Sequence, residues 1–208
     1  FPRAHTEVTG TPIRSDLRRM DRATARRKLG LQENLRTILV MGGSQGASGI
    51  NQAIIKSLPT LQGEPFQVIH LAGARDERLA ADNYQRENIP AYVAAFHHAM
   101  EEVYSAADMA VARSGASSLS ELAAFALPAI LIPFPYAADD HQTRNAEIFT
   151  RADAAVLLRE ADLSGDQLAT KIRELLKDPQ RRHTRSGNCA QLAPKNAAEL
   201  GAHTKEKH

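Results

Sequence analysis

Short, almost continuously apolar runs alternate with amphipathic segments along most of the chain, and this alternation constrains the fold more than any other feature. The apolar runs predict strands at residues 37–41, 67–71, 91–94, 108–112, 129–132 and 154–158. Strands without polar alternation suit a sheet covered on both faces, because no alternate side chain has to meet water. Strands that alternate with helices are typical of a parallel sheet. The sequence therefore predicts an α/β fold built on a doubly wound parallel sheet.

Helices are predicted where apolar residues recur three or four positions apart, at residues 48–58, 117–125, 142–151 and 165–176. Before the sheet, Asp21 can cap a helix over residues 22–29, and Gly30 can end it in the left-handed conformation. A polar helix is predicted at residues 181–191. We divide the chain into a linker with a leading helix (1–30), the sheet domain (31–178), and a C-terminal helix with a frayed tail (179–208).

Composition excludes several classes of protein. A chain of 208 residues with 43% hydrophobic and 24% charged residues can bury the core of one large domain. The formal net charge of +2 argues against a nucleic-acid partner recognised through bulk phosphate attraction. The single cysteine, Cys189, cannot form an internal disulfide, which favours a reducing compartment such as the cytosol. Since the chain opens on Phe1 rather than Met, we read it as a fragment or a mature piece.

Two further stretches bear on membranes and partners. Residues 122–138 are mostly apolar, but Pro128, Pro133 and Pro135 would break a helix, so no membrane span is predicted. Residues 1–28 hold eight basic against three acidic residues. We interpret this basic opening as a solvated helix face, with contact to anionic lipid or a partner as the alternative.

The glycine-rich segment Met41–Ala47 lies between a predicted strand and a predicted helix. Glycines let the backbone approach a phosphate closely, and the unpaired amides at the start of a helix favour an anion. The spacing is not the dinucleotide fingerprint, and the lysine of a Walker A loop is absent. The segment is a candidate phosphate loop, the alternative being a tight turn that binds nothing.

Four suggestive segments, residues 42–47, 96–100, 114–121 and 134–142, all follow predicted strands. In a parallel sheet the carboxyl ends of the strands share one edge, where ligands bind. Small side chains and hydroxyls at Ser114–Ser118 indicate a second turn for an anion or a hydroxyl group. Glu121, on the first turn of the next helix, could accept both hydroxyls of a ribose, or could simply complement the helix dipole.

Residues 139–142 (DDHQ) begin another helix at the same predicted edge. His141 and Gln142 would point an imidazole and an amide into the crevice, while the two aspartates could serve only as caps. His97, His98 and His141 lack metal-ligand spacing, and no Asp-x-Asp pair is present to hold a divalent ion. We therefore predict no metal and no cofactor, with helix amides carrying the charge of a bound diphosphate.

These motifs together resemble the C-terminal half of the MurG family of peptidoglycan N-acetylglucosaminyltransferases. The likeness runs from about Gly10 to Leu176. It is carried by GGSQGA (residues 42–47), RSGA (113–116) with Ser120 and Glu121, Leu127 with Pro128, and DHQ (140–142) with Asn145 and Ala146. The resemblance implies one half of a two-domain GT-B enzyme with paired Rossmann-like domains. It implies an inverting transfer of GlcNAc from UDP-GlcNAc to lipid-linked MurNAc-pentapeptide, which makes lipid II, at the cytoplasmic face of the bacterial inner membrane, where the enzyme is peripheral.

The resemblance also implies roles for residues at matching positions. Ser44, with the amides of Gly43 and Gly46, would contact the diphosphate, and the backbone near His97 together with Met100 would hold the uracil. The other implied substrate-binding residues are Arg14 near the uracil, Ala116, Ser117 and Ser118 on the phosphate and sugar side, Glu121 at the ribose, and His141 with Gln142 at the GlcNAc hydroxyls. No catalytic residue is implied here, because the general base and the acceptor site belong to the family's N-terminal domain.

The chain departs from the family pattern at three turns: Thr11 stands where Asn is usual, Ala126 where Gly often precedes Leu-Pro, and Asp153 where Gly usually ends a helix. On sequence alone two other functions stay open. One is a non-catalytic nucleotide-sugar-binding subunit that needs a separate N-terminal partner. The other is a UDP-GlcNAc epimerase-like enzyme, which would need acids on both faces of the sugar.

Overall fold

A computed structural model describes residues 17–43, 48–137 and 140–194, which form a six-stranded sheet flanked by helices. The strands are β1 (Arg36–Met41), β2 (Phe66–Leu71), β3 (Ala91–Ala94), β4 (Met109–Ala112), β5 (Ala129–Leu131) and β6 (Ala155–Leu157). Their order in the sheet is β3-β2-β1-β4-β5-β6, and each neighbouring pair is parallel. All of the predicted strands are present, so the predicted α/β doubly wound parallel sheet is confirmed.

The helices lie on the two faces of the sheet, and five of them connect successive strands. They are α1 (Arg22–Lys28), α2 (Ser48–Leu61), α3 (Glu77–Arg86), α4 (Met100–Ala106), α5 (Ala116–Ala124), α6 (His141–Arg151), α7 (Gly165–Lys177) and α8 (Pro179–Gln191). The sequence analysis did not predict α3 and α4. Helix α4 has only seven residues, and α3 is largely polar and exposes Leu79, so neither carries a long apolar stripe.

Two hydrophobic cores lie on opposite faces of the sheet. Along β1, Ile38 and Val40 enter one core, whereas Leu39 and Met41 enter the other. Helices α2, α3 and α7 cover the first core, and α1, α4, α5, α6 and α8 cover the second. Gly165, at the start of α7, permits close packing on α2, because a Cβ built there would lie 2.6 Å from the carbonyl oxygen of Lys56. Burial on both faces explains the apolar strands of the sequence.

The leading helix α1 is tied to the sheet by a buried ion pair, and here the prediction of a solvated basic face was wrong in part. Arg26 is only 4% exposed, and its Nη2 lies 2.7 Å from Oδ2 of Asp108. Asp108 also accepts a 2.8 Å hydrogen bond from the amide of Thr37. The predicted cap of α1 is present, since Asp21 accepts the amide of Thr24 at 2.8 Å.

Cys189 packs in the second core, where its Sγ donates to the carbonyl oxygen of Leu127 at 3.3 Å. Burial raises the pKa of this thiol to about 12, so it stays protonated at neutral pH. Cys189 is thus a packing residue of this core.

No helix within the described ranges is long and apolar enough to span a bilayer. The apolar stretch at residues 122–137 runs through the end of α5, then β5, then a turn. The prolines therefore divide it as predicted.

Four described residues other than glycine adopt the left-handed conformation: Asn88, Ala126, Asp140 and Asp153. Ala126 has φ 54° and Asp153 has φ 47°, each two residues after the end of a helix, α5 and α6. These are two positions at which the sequence departs from the glycine of the MurG pattern. A side chain with a Cβ pays a steric penalty in this region that glycine avoids. Asp153 has a compensating contact, because its Oδ1 accepts a 3.0 Å hydrogen bond from Nε of Arg185.

We expect Ala126→Gly to raise the free energy of unfolding by about 0.5–1 kcal/mol, because it relieves the strained turn. The matched control is Ala123→Gly inside α5, which should lower the same free energy by about 1 kcal/mol or more. Urea denaturation followed by circular dichroism measures both. A decrease for Ala126→Gly would contradict the strain.

Candidate functional site

The strand order reverses between β1 and β4, and this reversal opens a crevice at the carboxyl edge of the sheet. The chain runs from β1 through β2 to β3 on one side and from β4 through β5 to β6 on the other. The helices that follow β1 and β4, α2 and α5, pack on opposite faces of the sheet. Ligands of open α/β sheets bind at such a switch point. Gly42 and Gly43, the described glycines of the candidate phosphate loop, and the Ser114–Ser118 turn follow these two strands, so both lie at the crevice.

A cleft of about 600 Å³ occupies this edge, within the size range of small-molecule sites. Its walls come from the ends of β1, β2 and β3 and from helices α2, α4 and α5. The lining residues are Met41, Gly43, Ser48, Leu71, Ala72, Gly73, Ala74, Arg75, Asp76, Ala95, Phe96, His97, Met100, Tyr104 and Ser118.

The structure brings several predicted site residues to one place. Gly43, His97, Met100 and Ser118 all line the cleft. Glu121 joins them through Tyr104, whose hydroxyl donates to its Oε2 at 2.5 Å.

The other predicted site residues lie beside this wall or beyond the described ranges. Ala116 and Ser117 are exposed on the first turn of α5, next to Ser118. Arg14, Ser44 and Gly46 lie outside the described residues.

The His97 ring is fixed from both sides. Its Nδ1 lies 3.0 Å from the hydroxyl of Tyr92, and its Nε2 lies 3.2 Å from Oε2 of Glu102. Lys28 donates to Glu102 at 2.6 Å, and this contact is the main cause that lowers the pKa of the Glu102 carboxyl. The contacts hold the segment after β3 against α4.

The start of α6 is tied to the loops after β4 and β5. Gln142 is buried, and its Oε1 accepts a 3.0 Å hydrogen bond from the amide of Phe134. The Ser114 hydroxyl donates to the carbonyl oxygen of Gln142 at 2.8 Å, and Asn145 donates to the carbonyl oxygen of Ser114 at 3.2 Å. The side-chain oxygen of Gln142 therefore accepts a hydrogen bond from the protein itself. The sequence analysis did not predict this contact. His141 is exposed beside it.

Asp140 and Arg113 also hold loops at this edge. The Asp140 side chain accepts the hydroxyl of Thr143 at 2.6 Å and caps no helix amide. Arg113 is buried, donates to the carbonyl oxygen of Pro133 at 3.1 Å and pairs with Glu160. Its guanidinium carbon lies 5.3 Å from the ring centre of Phe134. Arg113, the first residue of the RSGA motif, therefore fixes the loop after β5.

Sequence reasoning missed the segment after β2. The sequence analysis assigned no role to this segment, but Asp76 follows β2 by five residues and lines the cleft. Asp76 accepts hydrogen bonds from Nδ2 of Asn51 at 2.9 Å, the Ser48 hydroxyl at 3.2 Å and Nε of Arg75 at 3.2 Å. These donors, Asn51 above all, lower the pKa of the Asp76 carboxyl. The one local feature of the sequence that could have indicated this side of the cleft is the charged pair Arg75-Asp76 after Gly73.

A buried polar network extends from Asp76 into the core. Asn51 also places its Oδ1 2.9 Å from Nε2 of His70, whose Nδ1 lies 3.0 Å from the hydroxyl of Tyr84. His70 is fully buried, and burial lowers its pKa to about 4. The neutral ring thus joins α2, β2 and α3 directly beneath the cleft.

Within the described ranges, no group of three or more His, Cys, Asp or Glu side chains is arranged to hold a metal ion. The parallel sheet, its switch point and the cleft at the carboxyl edge of the strands define a Rossmann-like α/β domain.

Comparisons with known proteins give the family. The family model of the glycosyltransferase family 28 C-terminal domain matches the sequence over residues 37–200. The chain belongs to this family. The GT-B architecture and the resemblance to MurG predicted from the motifs are therefore confirmed.

Individual relatives support the same family membership. The chain is 37% identical over 207 residues to the UDP-N-acetylglucosamine--N-acetylmuramyl-(pentapeptide) pyrophosphoryl-undecaprenol N-acetylglucosamine transferase of Geobacter sp. (strain M21), covering 96% of this chain and 53% of the relative. The enzyme of the same name from Methylococcus capsulatus is 44% identical over 164 residues, which cover 79% of this chain and 46% of the relative. The crystal structure of Acinetobacter baumannii MurG superposes with a TM-score of 0.71 at 26% identity, covering 81% of this chain and 51% of that one. The chain thus spans about half the length of the relatives it matches.

The buried neutral His70 predicts a pH-dependent stability. A pKa of about 4 in the folded state, against an ordinary 6.5, means that the unfolded chain binds the extra proton first. The stabilisation is therefore complete above pH 6.5 and is lost as the pH falls towards 4. Between pH 7.5 and pH 5 this linkage should cost about 2 kcal/mol of the free energy of unfolding.

We expect His70→Gln to lower stability at pH 7.5 and to lose this part of the pH dependence, as measured by urea denaturation at both pH values. The matched control is His183→Gln at an exposed position of α8, which should keep the original dependence. If His70→Gln keeps it too, His70 is not the group responsible.

Proposed function

We propose that this domain binds UDP-GlcNAc in the cleft and is the donor-binding half of an inverting N-acetylglucosaminyltransferase that makes lipid II. The observation that carries the proposal is the convergence of Gly43, His97, Met100 and Ser118 on one cleft at the switch point. Membership of the glycosyltransferase family 28 C-terminal domain family and the names of its relatives support the same assignment.

We assign residues at the cleft to each part of the nucleotide in turn: the uracil, the ribose and the diphosphate. The backbone near His97, with Met100 and Arg14, receives the uracil, and Glu121 receives the ribose hydroxyls. The hydrogen bond from Tyr104 supports the role of Glu121, because it fixes one carboxylate oxygen beside the cleft wall. The diphosphate is assigned to Ser44 and its loop.

The remaining residues complete the donor site. Gly43 and Gly46 offer amides to the diphosphate, and Ala116, Ser117 and Ser118 lie on the phosphate and sugar side at the start of α5. His141 and Gln142, at the start of α6, are assigned to the GlcNAc hydroxyls. The contact between Gln142 and Phe134 supports this placement, since it holds the start of α6 beside the loop after β5.

The chemistry follows from these assignments. Displacement at the anomeric carbon inverts its configuration as UDP leaves, and negative charge grows on the diphosphate. Amides already oriented at the two helix starts stabilise that charge without reorganising. A base that deprotonates the acceptor hydroxyl has to come from an N-terminal domain opposite the cleft.

The wider setting is part of the same proposal. The acceptor is lipid-linked MurNAc-pentapeptide, bound through the N-terminal domain, and the enzyme works peripherally at the cytoplasmic face of the bacterial inner membrane. Residues 1–30 connect the two domains, residues 31–178 hold the donor, and residues 179–208 form a C-terminal helix and tail. This chain by itself binds the donor and transfers nothing.

Isothermal titration of the chain with UDP-GlcNAc tests the proposal. We expect one site per chain, competition by UDP, and no release of UDP during the titration. Absence of binding at millimolar UDP-GlcNAc, from a chain that circular dichroism shows to be folded, would refute it.

We expect Glu121→Gln to weaken UDP binding about tenfold, because a neutral amide accepts poorly from both ribose hydroxyls. The same variant should change the affinity for 2′-deoxy-UDP much less, since one of those hydroxyls is already missing. The control is Glu174→Gln on α7, where the carboxylate pairs with Lys171 away from the cleft. Equal losses for UDP and 2′-deoxy-UDP would remove Glu121 from the ribose site.

A further inference from the structure

Arg75 occupies a distinctive position in the cleft wall. Among the described residues that line the cleft, it contributes the one arginine or lysine side chain. Its side chain is 78% exposed, so the guanidinium stands at the mouth rather than in the core. Asp76 lines the same cleft and pairs with Arg75, so the described lining carries one negative and one positive side chain, and an anionic group has its preferred site at the guanidinium.

The guanidinium is held in place by two neighbours. Nη2 donates to the Ser48 hydroxyl at 2.6 Å, and Nε donates to Oδ1 of Asp76 at 3.2 Å. Ser48 is the first residue of α2 in the structure, directly after the glycine-rich loop. Arg75 lies in the loop between β2 and α3. These two hydrogen bonds therefore hold its positive charge at the beginning of α2, where unpaired amides also attract an anion.

The anchor itself is rigid. The Asp76 carboxylate is fixed by Asn51, which in turn is bonded to the fully buried His70. A side chain positioned by a buried network loses little freedom when it binds a ligand. Asp76 already accepts from three side chains, so its charge is largely committed to partners inside the protein.

One edge of the guanidinium remains available. Within the described ranges, Nη1 of Arg75 makes no hydrogen bond, while Nε and Nη2 are used as above. An arginine edge of this kind binds phosphate oxygens through charge-assisted hydrogen bonds. Neither the motif resemblance nor the helix patterns of the sequence pointed to this residue.

We propose that Arg75 binds the diphosphate of the nucleotide sugar, as a cation that supplements the helix amides, with Ser48 and Asp76 as its positioning residues. The inference rests on the proposed function, because it takes a nucleoside diphosphate as the occupant of the cleft. In this proposal the negative charge of the diphosphate is bound by a side chain as well as by backbone amides.

Titration of the chain with UDP and with uridine, by calorimetry and by chemical-shift changes, tests the assignment. Arg75→Gln should weaken UDP binding about tenfold and leave the affinity for uridine within about twofold, because uridine has no phosphate. Arg75→Lys should lose only about threefold on UDP, since it keeps the charge without the planar edge. The UDP affinity of Arg75→Gln should also depend less on salt concentration than that of the unsubstituted chain.

The matched control is Arg78→Gln, on α3 one turn further along the chain. The Arg78 side chain is 95% exposed and lies 4.0 Å from Asp82, away from the cleft lining. It should bind UDP like the unsubstituted chain. If Arg75→Gln binds UDP as well as Arg78→Gln does, or loses uridine by the same factor as UDP, the inference is overturned while the proposed function stands. If the unsubstituted chain binds no UDP, the proposed function fails first.

Discussion

Parallel pairing of all the strands is the constraint on which the rest of the structure depends. Because every strand runs in the same direction, each connection has to cross a face of the sheet, and the loops that follow the strands meet at one edge. The reversal of strand order between β1 and β4 sends α2 and α5 to opposite faces and separates the loops in front of them. The cleft is a consequence of this topology. Residues far apart in the chain, such as Gly43 and Ser118, reach one cavity because of it.

Beneath the cleft, the polar network through His70, Asn51 and Asp76 connects the core to the wall. A buried polar group is costly unless its hydrogen bonds are satisfied, and here each ring nitrogen of His70 has a partner. Asn51, which satisfies one ring nitrogen of His70 through its Oδ1, also donates through its Nδ2 to the Asp76 carboxylate at the cleft. The hydrogen bonds of Asn51 therefore contribute both to the stability of the fold and to the shape of the site. A change at His70 is expected to reach the cleft through Asn51.

Sequence reasoning was strongest where local pattern and burial agree. The six strands were predictable because both faces of the sheet are covered, which leaves continuous apolar runs such as Leu39–Met41. It was weakest where a helix is short or largely polar, as α3 and α4 are. The buried Arg26 was also missed, because an arginine in a basic segment gives no sign that Asp108, far along the chain, neutralises it. Long-range ion pairs leave no local periodicity.

The sequence by itself determined the six strands, six of the eight described α-helices, and the glycine- and serine-rich motifs that connect this chain to its family. It determined them because apolar spacing, caps and turn residues act over a few neighbouring positions. Only the tertiary structure decided which side chains share the cleft, that Tyr104 holds Glu121, that Gln142 holds the amide of Phe134, and that Arg75 stands at the start of α2. These contacts depend on strand order and on helix packing across the sheet, and no local stretch of sequence encodes them.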